Sequence, residues 1–263
     1  MMNSTVKWYC ALSISIIFSI IFIAPLSAGE DGYAAGEEGY VLKIATMDLP
    51  PYGWVDDNAV KRGIIFEMTQ EVGMRMGLPF EHNIYPFNRM LMMMKEGKVD
   101  ILSSQAHQNA LDAGEKIGIQ FKIDVIAATK KGAGIKDISD FKGKNLIYHR
   151  GASYNQLEGV PKDITYAWSY EASVQMLHRR NAWSGAVFSE PAYYYFMGKL
   201  NLTPKDFGEV IYVERNKEQW IFARRGLPDH VKESLKKVVN DIYSEGMYEK
   251  LLNKYGKYEA LSH

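Results

Sequence analysis

Predicted strands and amphipathic helices alternate along this chain of 263 residues, and their order constrains the fold more than any other feature. The apolar run 41–45 predicts a buried strand, and apolar residues spaced three and four apart from Ile65 to Met76 predict an amphipathic helix. A short helix at about 88–95 and a strand at 99–103 come next. The predicted order is therefore strand, helix, helix, strand, which is typical of parallel strands covered by helices in an α/β fold.

The second half of the chain shows the same alternation. Strands are predicted over 145–148 and 185–188, with a helix over 171–179 between them. A strand over 220–223 precedes two helical stripes that begin at Val231. Both halves therefore predict a sheet with helices packed on it.

Small polar residues stand where two of these strands end. They are Ser103, Ser104 and Gln105 in the first half, and Ser189 and Glu190 in the second. In open α/β sheets, ligands bind at the carboxyl ends of the strands. Two such sheets facing each other would form a cleft lined by these residues.

The first 28 residues differ in character from the rest. Lys7 is their only charged side chain, and the apolar run 11–26 ends in the small residues Ser27 and Ala28, a pattern typical of a secretory signal peptide. The alternative is an uncleaved anchor helix, because the run counted from Trp8 approaches the ~20 residues that span a bilayer. Serines within the run favour a cleaved leader over residues 1–28, with cleavage after Ala28.

Composition excludes several classes of protein. With 47% hydrophobic and 24% charged residues, the chain is typical of a globular protein. Its 31 Lys and Arg balance its 31 Asp and Glu, so the chain as a whole does not resemble a nucleic-acid binder. Cleavage of the leader would remove Cys10, the only cysteine, and with it any thiol chemistry. The polar stretch 29–40 predicts a flexible lead-in to the folded part.

Motifs for catalysis or metal binding are missing from the sequence. The six histidines include no pair three or four residues apart, so we expect no metal. Asn155 stands where a nucleophile elbow needs its second glycine, and there is no P-loop or dinucleotide-binding glycine motif. We therefore expect no cofactor. The methionines of 90–94 and the aromatic run 193–196 are expected to pack mainly in the core, with one aromatic ring facing the cleft.

Seven segments together resemble a known family in their order and spacing. They are 42–46, 50–52, 63–68, 95–100, 138–144, 150–153 and 244–256. The resemblance is to the bacterial extracellular solute-binding proteins of family 3, the type II periplasmic binding proteins that serve polar amino-acid transporters. It extends over essentially all of 41–257.

This resemblance implies two α/β lobes that are joined by two hinge crossings and close on a small ligand. Lobe 1 would combine 41–128 with 219–257, and lobe 2 would cover 129–218. The crossings would lie near 127–131 and 218–224. It also implies a monomeric, non-catalytic periplasmic receptor that binds no nucleic acid and delivers its solute to an inner-membrane ABC permease.

The resemblance also implies roles for particular residues. Tyr52 and Phe87 would sandwich the ligand, Ser104, Gln105 and His107 would line lobe 1, and Ala152, Ser153 and Tyr154 would form a loop at a helix N-terminus in lobe 2. An aromatic face attracts a cation, and a helix N-terminus attracts an anion. For Ser104 and Ser153, the alternative is a hydroxyl that only caps a turn.

Glu190 would hold an ammonium group of the ligand. The alternative for this residue is an acidic charge at a helix N-terminus before Pro191, favourable to the helix dipole alone.

One position departs from the family pattern. The arginine that clamps the carboxylate of amino-acid ligands is replaced by Asp112, eight residues after Ser104. Arg89 and Arg150 are the possible substitutes, and the alternative for each is a surface charge. We therefore expect a small polar solute that bears an amine, with any acidic group met by Arg150 or Arg89.

Two other functions stay open. Periplasmic cyclohexadienyl dehydratases resemble the same family, and Glu190, His107 or His149 would supply an acid for a dehydration. An orphan ligand sensor that docks on a membrane sensor protein is the other alternative.

Overall fold

Strands and helices alternate along the computed structural model, which describes residues 40–150 and 152–255. All of them belong to one unit of the chain, Gly32–His263. The strands are β1 (Leu42–Met47), β2 (Trp54–Val55), β3 (Lys61–Arg62), β4 (Phe80–Tyr85), β5 (Ile101–Gln105), β6 (Glu115–Thr129), β7 (Asn145–His149), β8 (Asp163–Ala167), β9 (Gly185–Ser189) and β10 (Val210–Ala223). The α-helices are α1 (Ile64–Met76), α2 (Phe87–Lys95), α3 (Gln108–Ala113), α4 (Tyr170–Arg179), α5 (Glu190–Lys199), α6 (Asp229–Ser244) and α7 (Met247–Tyr255).

One eight-stranded sheet has the order β4-β1-β5-β10-β6-β9-β7-β8. The pairs of β1 with β4 and β5, and of β7 with β8 and β9, are parallel. The long strands β6 and β10 run antiparallel to each other and to their outer neighbours, β9 and β5. The α/β class expected from the sequence is confirmed, and two long antiparallel strands connect its parallel halves.

One detail of the expected arrangement was wrong. The order strand, helix, helix, strand omitted β4, whose mixed polar and apolar sequence leaves only His82 buried and so lacks a strong periodicity. The strands of the two halves belong to one continuous sheet, because the long strands β6 and β10 pair with each other and with strands of both halves. These two strands include residues 127–129 and 218–223, where the resemblance implies the hinge crossings.

The buried stripe of α1 shows how the local pattern produces the core. Ile65, Met68, Val72 and Met76 are each at most 1% exposed. Full burial of such a side chain contributes about 1.5–3 kcal/mol relative to its exposed state. The helix ends at Gly77, whose φ of 67° is left-handed and costs glycine little.

The predicted signal peptide, residues 1–28, lies outside the described residues, as does the predicted lead-in except for Tyr40. Within 40–150 and 152–255, none of the helices has the length and apolar character needed to cross a bilayer. In the same part of the chain, no group of three or more His, Asp or Glu side chains is placed to hold a metal ion.

Candidate ligand-binding cleft

Tyr52 is the more deeply buried of the two predicted ligand-sandwiching residues, at 4% exposure. The turn that carries Tyr52 requires a glycine at position 63. The φ of Gly63 is 129°, which is unfavourable for other residues, and a Cβ there would collide with the Tyr52 carbonyl oxygen. The Tyr52 hydroxyl donates to Ser189 Oγ at 2.7 Å. Burial raises the pKa of Tyr52 well above its usual value, so the hydroxyl stays a donor.

Aromatic rings surround the strand end that carries Ser189. Burial raises the pKa of Tyr170, the first residue of α4, and the neighbouring Ser189 opposes this rise. The centroid of the Tyr170 ring lies 4.9 Å from that of His149 and 5.7 Å from that of Phe188. Burial lowers the pKa of His149, which favours its neutral form. Tyr52 therefore meets a packed aromatic surface at the carboxyl ends of β7 and β9.

Phe87, Ser104 and His107 come together at the carboxyl end of β5. The ring centroids of Phe87 and His107 are 5.3 Å apart. His107 caps α3, where its Nδ1 accepts from the Ala110 N–H at 3.4 Å. In the neutral ring, Nε2 then carries the proton and donates to Ser104 Oγ at 3.3 Å. Burial, and to a lesser extent the charge of Lys217, lower the pKa of His107 and favour this neutral form.

Tyr154 connects this polar group to the other half of the chain. Its ring lies 5.8 Å from Lys217 Nζ, measured to the ring centroid, and meets Tyr148 edge-on at 5.0 Å. Burial raises the pKa of Tyr154, with further contributions from Tyr52 and Glu214 nearby. Lys217 thus lies beside Tyr154 of one half and acts through its charge on His107 of the other.

Glu190 is the first residue of α5 and is half-buried. Its Oε1 accepts from the Tyr212 hydroxyl at 3.4 Å. Burial and then Asp124 raise the pKa of Glu190, while the Tyr212 hydrogen bond and Arg215 lower it. Its place at the helix N-terminus is also favourable to the helix dipole, so both interpretations of this residue fit the geometry.

The remaining predicted residues lie at the margins of this group. The Arg89 guanidinium is exposed and lies 5.4 Å from the centroid of the Tyr85 ring. The backbone N–H of Arg150 donates to the Ala167 carbonyl, and its side chain is exposed. Gln105 is half-buried opposite Gln219 of β10.

Ala152 is half-buried, and Ser153 is exposed. The element after them is a three-residue 3₁₀ turn, Asn155–Leu157, so the expected helix N-terminus is wrong. So short a turn has no appreciable macrodipole, and the attraction it was expected to exert on an anion loses its basis.

Asp112 occupies the position where the family pattern has its clamping arginine. It is exposed in α3 and accepts from Gln108 Nε2 of the same helix at 2.7 Å. A carboxylate repels another carboxylate, so any such group of a ligand must be met elsewhere.

Most of the methionine and aromatic runs pack in the core, as expected, but Met92 is 51% exposed. Met90 and Met94 of α2 and Tyr193 and Phe196 of α5 are buried. Tyr195 is half-buried instead, and its ring centroid lies 5.9 Å from that of Trp54 in the β2–β3 hairpin.

Three residues of the cleft had no predicted role in ligand binding, and a fourth, Ser189, was expected only as a polar strand end that lines the cleft. Tyr170 only flanked a predicted helix. Glu214 and Lys217 belong to a charged run, 214–218, which is typical of a solvated surface. Their inward position depends on the local geometry of β10, for which the sequence contains no recognisable signal.

Comparison with solved structures identifies the fold. The ligand-binding core of GluR0 in complex with L-glutamate is 16% identical, with a TM-score of 0.68, over 83% of this chain and 99% of that chain. A histidine kinase sensor domain similar to periplasmic binding proteins is 18% identical, with a TM-score of 0.65, over 82% and 95% of the two chains. The ancestral amino-acid-binding protein AncCDT-1, a precursor of cyclohexadienyl dehydratase, has the same identity and TM-score over 82% and 96%.

The curled mixed sheet and these similarities define the class: a two-lobed α/β protein with the periplasmic binding protein-like fold. Its sequence matches the family over residues 42–258, and the chain belongs to the bacterial extracellular solute-binding proteins, family 3. No curated protein sequence matches it. It is thus a ligand-binding protein of a family that binds small solutes.

Proposed function

We propose that this protein is a periplasmic receptor that closes on a small, amine-bearing, amino-acid-like solute and delivers it to an inner-membrane ABC permease. The observation that carries the proposal is the hydrogen bond from Tyr52 to Ser189, which joins the two halves of the chain at the predicted site. The proposed division is into lobe 1 (41–128 and 219–257) and lobe 2 (129–218). The strand pairing supports it, because residues 219–223 of β10 pair with β5 and residues 125–129 of β6 pair with β9. The protein acts as a monomer.

In this proposal, the solute shifts the population from open to closed lobes because it contacts both of them. Tyr52 and Phe87 present aromatic faces to the ligand, and Ser104 and His107 offer hydrogen bonds. Glu190 binds the amine, since a carboxylate shielded from water pairs strongly with a cation. Its partial burial beside Tyr212 supports this role.

The test of Glu190 is calorimetry or a thermal-shift screen of amino acids, amines, opines and organic acids. Wild type should bind at least one amine-bearing compound, and Glu190→Ala should lose that binding. Glu209→Ala, which removes an exposed carboxylate from the same half of the chain, is the control and should bind normally. If Glu190→Ala retained micromolar binding, Glu190 would not be part of the binding site.

Arg150 is tested by the same screen as one possible partner of an acidic group of the solute, because it lies in the lobe 2 loop. Arg150→Ala should weaken binding of an acidic solute, whereas Arg179→Ala, another exposed arginine, should not. Equal affinity of both variants would show that Arg150 is a surface charge that does not contribute to binding.

A sensor function is the second candidate, because one similar structure is a histidine kinase sensor domain. A sensor would bind its solute equally well and would dock on a membrane sensor protein instead of a permease. Permease and ATPase genes adjoining the gene for this chain would favour transport.

A dehydratase is the third candidate, supported by the similarity to a precursor of cyclohexadienyl dehydratase. The raised pKa of Glu190 favours the protonated form that a general acid needs. Product formation from prephenate or arogenate by the purified protein would establish an enzyme and overturn the receptor.

A further inference from the structure

The ion pair between Lys217 and Glu214 is the charged group in the cleft that the sequence does not predict. Lys217 Nζ lies 2.7 Å from Glu214 Oε2, and the two side chains are only 22% and 29% exposed. Lys217 also faces Tyr154 from one half of the chain and, through its charge, His107 from the other. This cation therefore lies between the two groups of predicted ligand contacts.

A distortion of β10 makes this arrangement possible. In a regular strand, residues three apart point to opposite faces of the sheet. Opposite β6, however, Glu214 pairs with Val125 and Lys217 with Ile123, so β10 has one extra residue in this interval. This is a β-bulge, a feature common beside functional sites because it redirects side chains.

Asn216 and Asp124 hold the bulge in place. Asn216 has a left-handed φ of 54°, a conformation that asparagine tolerates better than most residues. Its N–H donates to Asp124 Oδ1 at 2.7 Å, and Arg215 pairs with Asp124 Oδ2 at 3.4 Å. The Arg215 guanidinium lies over the Tyr212 ring, 3.5 Å from its centroid, while Glu214 and Lys217 pair with each other.

We infer that Lys217 binds the carboxylate of the solute, in place of the arginine that Asp112 replaces, and that Glu214 positions Lys217. The inference deepens the proposed function and rests on it. Lys217 is a partly buried cation that lies 5.8 Å from the centroid of the Tyr154 ring and is near enough to His107 for its charge to lower the pKa of that histidine, whereas Arg89 and Arg150 are exposed.

The charges select the class of solute. Lys217 and Glu214 balance each other, as do Arg215 and Asp124, so Glu190 leaves one net negative charge. A solute with only a carboxylate would be repelled by the carboxylates of Glu214 and Glu190. A solute with only an amine would pair with Glu190 but would make no ion pair with Lys217. An amino acid, with both a carboxylate and an ammonium group, complements Lys217 and Glu190 together.

The test compares wild type with Lys217→Met by calorimetry. The probes are the twenty common L-amino acids, the decarboxylated amines agmatine and cadaverine, and the acids succinate and glutarate. Wild type should bind at least one amino acid in preference to the amines and acids. Loss of the charged contact should weaken that binding about ten- to a hundredfold in Lys217→Met. Lys122→Met, which removes a more exposed lysine of β6, is the matched control and should bind as wild type.

The outcomes separate the two proposals. An amino acid bound equally by wild type and Lys217→Met would overturn the inference and leave the receptor function intact. Wild type that binds an amine but no amino acid would also overturn the inference alone, whereas wild type that binds only an acid would overturn the amine-bearing solute as well. Wild type that binds none of the probes would overturn the amino-acid-like solute and the inference with it.

A ligand-free measurement tests the position of Lys217 independently. NMR titration of His107, assigned with His107→Gln, should give a higher pKa in Lys217→Met than in wild type, because a nearby positive charge is removed. An unchanged pKa would mean that Lys217 does not face the polar end of β5, and the inference would fail.

Discussion

The Tyr52 hydroxyl lies 2.7 Å from Ser189 Oγ, although the two residues are 137 positions apart in the chain. Both are at most 5% exposed, so the hydrogen bond is shielded from water. Tyr52 is held by Gly63 at the start of α1, and Ser189 lies where β9 gives way to α5. The bond therefore couples two helix starts, one in each half of the chain, and any separation of these halves must break it.

Tyr52→Phe removes this bond and keeps the ring. We expect the free energy of unfolding to fall by about 1 kcal/mol, because Ser189 loses a buried partner. Ligand affinity should fall as well, since the closed form loses a contact between the proposed lobes. Urea unfolding and calorimetry measure the two effects. Tyr166→Phe, in an exposed ring of β8, is the control; an equal loss in both variants would contradict a special role for Tyr52.

Trp54→Ala should favour the open form. The ring centroid of Trp54 lies 5.9 Å from that of Tyr195 and 5.3 Å from that of Tyr255, and aromatic pairs contribute about 0.5–1.5 kcal/mol beyond burial. Small-angle X-ray scattering should give a larger radius of gyration for ligand-bound Trp54→Ala than for ligand-bound wild type. Trp168→Ala removes a ring that is 78% exposed and should change nothing. Identical scattering of all three proteins would exclude a role for Trp54 in closure.

Strongly periodic segments made most of the architecture predictable. The stripe from Ile65 to Met76 and the apolar strands β1, β7 and β9 are buried on the faces that their spacing indicates. The sequence did not predict β8, because this strand lies at the edge of the sheet. Ile164 and Tyr166 are exposed there, so burial does not impose an alternation of polar and apolar residues.

The site was less predictable because its geometry depends on contacts distant in sequence. Ser104 and His107 could be found, since they come directly after a recognisable strand. Lys217 could not, because the bulge that turns it inward depends on Asp124 of another strand. The 3₁₀ turn after Tyr154 has hydrogen bonds between residues three apart, where an α-helix has them four apart, and it ends after three residues. No single residue specifies that choice.

His82 should make the fold sensitive to acid. Its Nε2 accepts from Thr46 Oγ1 at 2.8 Å, and its Nδ1–H donates to Gln70 Oε1 at 3.1 Å. Burial lowers the pKa of His82 to about 3, against an ordinary value of 6.5. Below pH 6.5 the unfolded chain therefore binds a proton that the folded chain does not, and stability falls as the pH falls from about 6.5 toward 3.

The loss that His82 causes should approach about 1.4 kcal/mol per pH unit across this window. Urea unfolding at several values between about pH 7 and pH 4 measures it. His82→Gln, which has no ionisable group there, should show a shallower decline, whereas the exposed His230→Gln should behave as wild type. Parallel curves for wild type and His82→Gln would show that His82 protonates equally in both states.

Asp100, in the segment between Gly97 and β5, should be the most sensitive acidic residue of the fold. Its side chain is 4% exposed; Oδ1 accepts from Arg224 Nε at 2.5 Å and Oδ2 from the Lys43 N–H at 2.9 Å. Asp100→Asn leaves a partly buried guanidinium without its counter-charge, and we expect a loss of about 3 kcal/mol in unfolding free energy. Glu96→Gln breaks an exposed pair with Lys98 and should cost at most about 1 kcal/mol. Urea unfolding of both variants measures the difference. Similar losses would mean that water solvates the Arg224 guanidinium well enough to replace its ion pair with Asp100.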